Sequence, residues 1–420
     1  MPGHLLAAYI NFYAIFDINA KNSLETAMDP YSNPFNPGAG VSPPELAGRS
    51  EVLSQAITAL ERTKRGRHAK SLMILGLRGV GKTVLLNEIA REASERGYLT
   101  EQIEARDGED LRQLLIHTLR KVLLQLDRSA QAIEAVKRSL RVLRSFIGNV
   151  TASAGGVDVT LGVDPEAGQA DSGDLEADIK DVLVAAARAA QAASRPVALL
   201  IDELQYVPRA ELGALIRAIH AINQAGLPLL LFGAGLPQLA GQAGDAKSYA
   251  ERLFDFPRLD RLQEEDAYKA IREPVEEEGA RIEDSALAEI YVQTRGYPYF
   301  LQEWGYNAWN AAADKVITVD AATAATDQSI RKLDQSFFRV RFDRLTPLER
   351  DYMRYLAEFG EGPQRSSDVA KAMGRGGSSL GPTRDNLIKK GMIYAPEHGL
   401  IAFTVPLFDE FMRRVMPLSP

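Results

Sequence analysis

The sequence predicts an α/β protein whose core is a parallel sheet layered between helices, with smaller domains after it. Three observations lead there. Short, strongly apolar runs alternate with helical segments through the first part of the chain, the pattern of a parallel three-layer core. The runs at 197–201 and 229–232 have no polar alternation, as expected of strands buried on both faces. The glycine-rich stretch 76–83 lies between a predicted strand and a predicted helix.

The elements follow in order. Residues 33–44, rich in Pro, Gly and Asn, form an extended lead-in. Helical periodicity at 51–62 precedes a strand at 71–75, the glycine loop and a helix through about 96. A second strand is expected at 98–104, helices at 111–126 and 130–146, and a small hairpin or strand insertion at 157–163. A helix starting at Asp174 leads to the strands at 197–201, 229–232 and 254–259. The stretch 264–314 is expected to be purely helical and 331–344 a helical connector. These readings divide the chain into an extension (1–44), a core (45–262, with an insertion at about 147–173), a small helical domain (263–330), the connector, and a last domain (345–420).

Gly76-Leu77-Arg78-Gly79-Val80-Gly81-Lys82-Thr83 fits G-x-x-x-x-G-K-[ST] at every fixed position. Glycines let the backbone wrap round phosphates with its N–H groups pointing inward, and the helix beginning near Lys82 adds its positive end. The expected binding set is Gly76, Arg78, Gly79, Val80, Gly81, Lys82, Thr83 and Val84. Lys82 neutralises the β- and γ-phosphates, and the Thr83 hydroxyl completes a magnesium shell. A nucleoside triphosphate with Mg2+, ATP and its product ADP, is therefore the expected ligand. The second half of the site is the apolar strand ending in Asp202-Glu203. It delivers Asp202 to the carboxyl edge of the sheet as a magnesium ligand, direct or through water. Glu203 then polarises the attacking water as a general base.

Together these elements resemble the AAA+ and STAND branch of the P-loop NTPases. Gly48 and Arg49, within Leu46-Ala47-Gly48-Arg49-Ser50-Glu51, resemble the entry motif that lines the base side of the nucleotide in that branch. Residues 229–237 occupy its fourth-strand position, where many members carry a polar sensor; this chain has Gly233 and Ala234. Arg252 falls where AAA+ subunits place an arginine finger that reaches a neighbour's nucleotide, which implies a homo-oligomer. Gly296-Tyr297-Pro298 resembles the G-x-P element that packs a helical lid onto the nucleotide. Tyr299 stands where initiator relatives often carry a sensor arginine, with Arg295 nearby. The resemblance with these departures implies slow hydrolysis and a switch held by its nucleotide.

Residues 345–416 read as three helices and a short ribbon. Thr346, Pro347 and Glu349 mark the first start as a capping box with proline at the first helical position. Ser366 opens the second helix, Pro382 confines the third to a start near Gly381, and Gly391 stops it. Ribbon strands are expected at 392–394 and 400–403. The arrangement resembles a winged helix-turn-helix, and its fusion to the core resembles the origin-recognition-like ATPases of bacteria and archaea. The third helix would then read duplex DNA, with Arg375, Arg384, Lys389 and Lys390 as its basic residues. Charge leaves the partner open, because ten Lys or Arg face nine Asp or Glu across 345–420. A STAND-type signalling or defence ATPase whose winged helix meets protein is the alternative, and a transposition helper shares the same core. Trp304, Trp309, Phe408 and Phe411 recur at helical spacing and are assigned to cores.

Composition removes other classes. The 420 residues contain no cysteine, which excludes disulfides, thiolate metal sites and thiol nucleophiles and fits a cytoplasmic setting. A net charge of -7 argues against coating nucleic acid through bulk charge. The apolar stretch 5–18 is interrupted by Asn11 and Asp17 and is too short to span a bilayer, and no other run suffices. It reads as an extension, or as an over-long start before Met28, with a partner-docking helix as the alternative.

Overall fold

The computed structural model describes residues 28–38, 40–126, 130–154 and 161–417. The segment 1–27 and residues 157–160 of the expected insertion lie outside the described residues, and 161–163 carry no strand. The chain forms two compact units, one of Arg49–Asp260 with Leu345–Pro420, the other of Arg261–Arg344 with the stretch ending at Gly48.

The core sheet contains β1 (Ser71–Gly76), β2 (Leu99–Glu104), β3 (Val197–Asp202), β4 (Leu229–Gly235), β5 (Phe254–Asp255) and β6 (Arg258–Leu259). Its order is β2-β3-β4-β1-β5, with β6 also on β1, and every pairing is parallel. Every residue of β1, β3 and β4 is buried, as their unbroken apolar runs require. Each Leu or Ile so buried contributes about 1.5–3 kcal/mol relative to exposure. The expected strand at 254–259 is divided. Pro257 has no N–H to give the ladder, although its carbonyl still accepts from Leu75 N–H at 2.9 Å.

Around the sheet lie α1 (Ser50–Lys64), α2 (Lys82–Glu95), α3 (Leu111–Gln125), α4 (Ala130–Ala154), α5 (Leu175–Ala192), α6 (Arg209–Gln224), α7 (Leu239–Ala246) and α8 (Ala250–Leu253). Asp174 serves as the cap of α5, accepting from Ala177 N–H at 2.9 Å, so the helix begins one residue later than expected. Because β4 runs between β1 and β3, its carboxyl end lies between the glycine loop and Asp202.

The second unit holds α9 (Glu264–Glu277), α10 (Asp284–Thr294), α11 (Pro298–Ala311), α12 (Val319–Lys332) and α13 (Arg339–Asp343). The expectation of a purely helical stretch is corrected by β7 (Arg281–Ile282), which pairs in parallel with β8 (Val316–Ile317). Burial of Ile282 and Ile317 fixes this small pair, which is too short to show a period-two pattern. The connector is not one helix either. A wider π-helical turn at Leu333–Phe337 lets Phe337 and Phe338 both reach Phe300, at 6.3 and 6.4 Å between ring centres. Trp304 and Trp309 are core residues, their indole N–H groups donating to Thr326 Oγ1 and the Asp29 carbonyl, each at 2.9 Å.

The carboxyl-terminal region contains α14 (Pro347–Ala357), β9 (Gln364–Arg365), α15 (Ser366–Ala372), α16 (Gly381–Lys389), β10 (Ile393–Tyr394), β11 (Leu400–Phe403) and α17 (Phe408–Val415). Thr346 and Glu349 form the reciprocal capping box, with Thr346 N–H donating to Glu349 Oε2 at 2.7 Å. The strands make an antiparallel sheet in the order β10-β11-β9. β9 and α17 go beyond the expected three helices and ribbon, and α17 buries Phe408 and Phe411. No helix among the described residues is long and apolar enough to cross a membrane.

Candidate nucleotide-binding site

The loop after β1 is shaped by glycine. A Cβ at Gly76 would lie 2.6 Å from the Leu259 carbonyl oxygen and 2.7 Å from Val80 Cγ2. Gly79 and Gly81 have φ of 80° and 92°, the left-handed region that costs other residues energy. Gly81 thereby caps α2, whose first turn carries Lys82, Thr83 and half-buried Val84. Buried Arg49 braces the loop from outside, donating to the carbonyls of Val80 at 3.0 Å and Asp260 at 2.7 Å.

Lys82 is buried and its ammonium donates to the carbonyls of Gly76 and Leu77, each at 2.9 Å. Burial pulls its pKa below the ordinary lysine value, against the opposing pull of Glu203 and Asp202. The Thr83 hydroxyl donates to Asp202 Oδ2 at 2.5 Å, and Glu203 N–H donates to Asp202 Oδ1 at 2.8 Å. Burial pushes the Asp202 carboxyl above its usual range, while the Thr83 hydrogen bond opposes it. A hydroxyl and a carboxylate oxygen thus converge beside the loop lysine. That hard oxygen set suits Mg2+, which would keep waters and phosphate oxygens as its other ligands.

Glu203 itself sits in the left-handed region, φ 55° and ψ 35°, an uncommon conformation for a non-glycine residue. The turn that follows packs on the end of β4. A Cβ at Gly233 would lie 2.3 Å from Leu204 Cδ1, so a side chain there would require Leu204 to move.

A strand, glycine loop and helix, with an acidic strand one position beyond β4, match a known domain. Residues 45–232 match the AAA ATPase domain. The fold is an AAA+ P-loop fold. Among solved structures, a Walker-type ATPase of Pyrococcus abyssi is similar at a TM-score of 0.55 and 16% identity, covering 88% of this chain and 96% of its own. The RuvB Holliday junction branch migration motor of Thermotoga maritima gives a TM-score of 0.43 at 16% identity, covering 90% of this chain and 98% of its own. Cdc6p from Pyrobaculum aerophilum gives 0.45 at 13%, covering 93% and 100%. At 16% identity the likeness to the Pyrococcus abyssi ATPase is one of fold alone. Residues 335–412 match a domain of unknown function, DUF8462. No curated protein matches the chain.

The AAA+ core brings together Arg49, the loop residues, Asp202 and Glu203. Gly48 and Gly296 belong to the second unit, where both have positive φ and a Cβ would collide with Asp266 Oδ2 (2.7 Å) and the Leu262 carbonyl oxygen (2.3 Å), respectively. Pro298 opens α11 in the same unit. Tyr299 is stacked on Phe337 with ring centres 4.8 Å apart. Arg252 is exposed in α8 and has no side-chain hydrogen bond or ion pair among the described residues.

Residues not singled out from sequence complete the surroundings. The Arg78 guanidinium donates to Tyr206 OH at 2.6 Å, and Arg78 N–H donates to the Thr404 carbonyl at 3.1 Å. Leu77 packs with Leu236, Tyr394 and Ala402, so the carboxyl-terminal ribbon rests on the glycine loop. Gly391, φ 65°, allows this approach, since a Cβ there would meet Arg78 Nη2 at 2.7 Å and Tyr206 OH at 2.8 Å. Gln205 is the other addition, with its amide against the Glu203 carboxylate. The run Gly233-Ala234-Gly235, small residues at the end of a buried strand, is the sequence signal for such close packing.

The four basic residues of the last domain are unequal. Arg375 and Lys389 are exposed, and Arg384 pairs with its neighbour Asp385 at 2.9 Å. Lys390 donates to buried Glu349 at 2.6 Å and so supports the capping box of α14. Burial disfavours the Glu349 carboxylate, but Lys390 and Thr346 N–H together hold its pKa below the usual range. Lys390→Ala is therefore expected to cost about 1–3 kcal/mol, less than a fully buried pair because Lys390 is partly exposed. Lys389→Ala should stay within about 0.5 kcal/mol of the parent. Denaturant unfolding of both variants measures this. The depressed pKa makes the contribution of Glu349 whole above the unfolded value of about 4.3, and lost as pH falls through the lower folded value.

Proposed function

We propose that the chain binds ATP with Mg2+ and hydrolyses it slowly, as a nucleotide-held switch that binds duplex DNA through α16. The observation that carries the ATPase reading is the convergence of Thr83 Oγ1 on Asp202 Oδ2, with Lys82 and Glu203 beside them. Thr83 and Asp202 would hold the metal, which neutralises charge on the phosphates. Lys82 would move from its loop carbonyls to the β- and γ-phosphates, and Glu203 would accept the proton of the attacking water. Slow turnover follows from two departures. Gly233 and Ala234 offer no polar side chain at the end of β4, and Tyr299 is committed to an aromatic cluster. In an oligomer, the unpaired guanidinium of Arg252 would complete a neighbour's site.

The DNA reading is supported by the order of α14, α15, α16 and the following ribbon, that of a winged helix, and by exposed Arg375 and Lys389. Its test is duplex binding followed by fluorescence anisotropy across a salt series. Arg375→Glu with Lys389→Glu should weaken binding at least about tenfold and flatten the salt slope by about 2. Lys390 is left intact because its loss would perturb folding. No binding at low salt, or an unchanged slope, contradicts the reading. A second reading, a signalling switch whose winged helix meets protein, is favoured by one observation. The ribbon already engages the glycine loop through Thr404 and Arg78, as a domain responding to the nucleotide would.

A further inference from the structure

The Gln205 side chain is anchored at both ends. Leu236 N–H, just past β4, donates to Gln205 Oε1 at 3.0 Å, and Gln205 Nε2 donates to Glu203 Oε2. A backbone N–H requires an acceptor, so the amide oxygen must face Leu236 and the NH2 group is left facing the carboxylate. Gly235 keeps this approach open, because a Cβ there would lie 2.8 Å from Gln205 Oε1. The strand end therefore carries no polar side chain of its own, yet it is coupled to Glu203 through one amide.

We infer that Gln205 is a positioning residue for Glu203 in ATP hydrolysis. The inference rests on the assignment of Glu203 as the base. In that step the water oxygen bonds to the γ-phosphorus. The bond to the β,γ-bridging oxygen breaks with its electron pair leaving on ADP, and the water proton passes to Glu203. One carboxylate oxygen suffices for the proton. Gln205 holds Oε2, while Oε1 has no protein donor among the described residues and remains for the water. The left-handed backbone of Glu203 and the Gln205 contact then fix the carboxylate from two sides. A base left to rotate among its staggered conformers would be aligned for a smaller fraction of encounters.

The test compares steady-state ATP hydrolysis by the full chain with Gln205→Ala, Gln205→Glu and Glu203→Gln, alongside ATP affinity. Gln205→Ala is expected to lower kcat about 10–100-fold with KM within about threefold. Gln205→Glu still accepts from Leu236 N–H but has no N–H to give the Glu203 carboxylate. It should therefore lower kcat about as far as Gln205→Ala, with KM again within about threefold. A role confined to supporting Leu236 predicts wild-type kcat in Gln205→Glu, so this variant also decides the matter if Gln205→Ala fails to fold. Wild-type kcat in Gln205→Ala or in Gln205→Glu overturns the role of Gln205 while Glu203→Gln remains inactive. If Glu203→Gln itself turns over at the wild-type rate, the base assignment falls and this inference falls with it.

Discussion

Replacing Glu203 with Gln is expected to leave ATP affinity within about threefold while lowering turnover about 10²–10⁴-fold, the usual contribution of a positioned general base. The substitution preserves size, and the backbone N–H of residue 203 still donates to Asp202 Oδ1, so the magnesium-side geometry is kept. What is lost is the carboxylate proposed to take the water proton. Phosphate release at saturating ATP, paired with an equilibrium titration, separates the two effects. Turnover above about a tenth of the parent's would remove Glu203 from the chemistry.

Lys82→Ala is expected to act on the other parameter. The ammonium is buried at the loop, close enough to donate to two of its carbonyls, and Glu203 and Asp202 offset part of its burial cost. Moved onto two phosphates, it would make charge-assisted hydrogen bonds worth about 1.5–3 kcal/mol each, so ATP affinity should fall about 10²–10⁴-fold. The sheet should survive, because β1 and its neighbours are held by apolar burial that Lys82 does not supply. Affinity within about threefold of the parent in a folded Lys82→Ala protein would contradict the assignment.

Much of this site was legible in the sequence because its parts are local. The glycine loop, the apolar strand ending at Asp202 and the capping box at Thr346 each depend on residues a few positions apart. The expected strand at 254–259 is interrupted at Phe256 and Pro257, where the proline lacks an N–H for the ladder. The pairing of Arg281–Ile282 with Val316–Ile317 escaped because two-residue strands have no readable period. Lys390 looked like a surface cation on a reading helix, and only its distance to Glu349 reveals its structural use. The contacts of Arg78 with Thr404 and of Gln205 with Leu236 join residues remote in sequence and leave no local trace. Their one trace is indirect, in the small residues that make room for them at Gly235 and Gly391.

The central claim is that the loop from Gly76 to Thr83, with Asp202, forms a working nucleotide site. Calorimetric titration of the full chain with ATP in the presence of Mg2+ tests it most directly. The expected result is one site per chain that saturates below about 1 mM ATP, the upper end of ordinary enzyme affinities, and that disappears in Lys82→Ala. A folded protein that binds no nucleotide up to that concentration would contradict it.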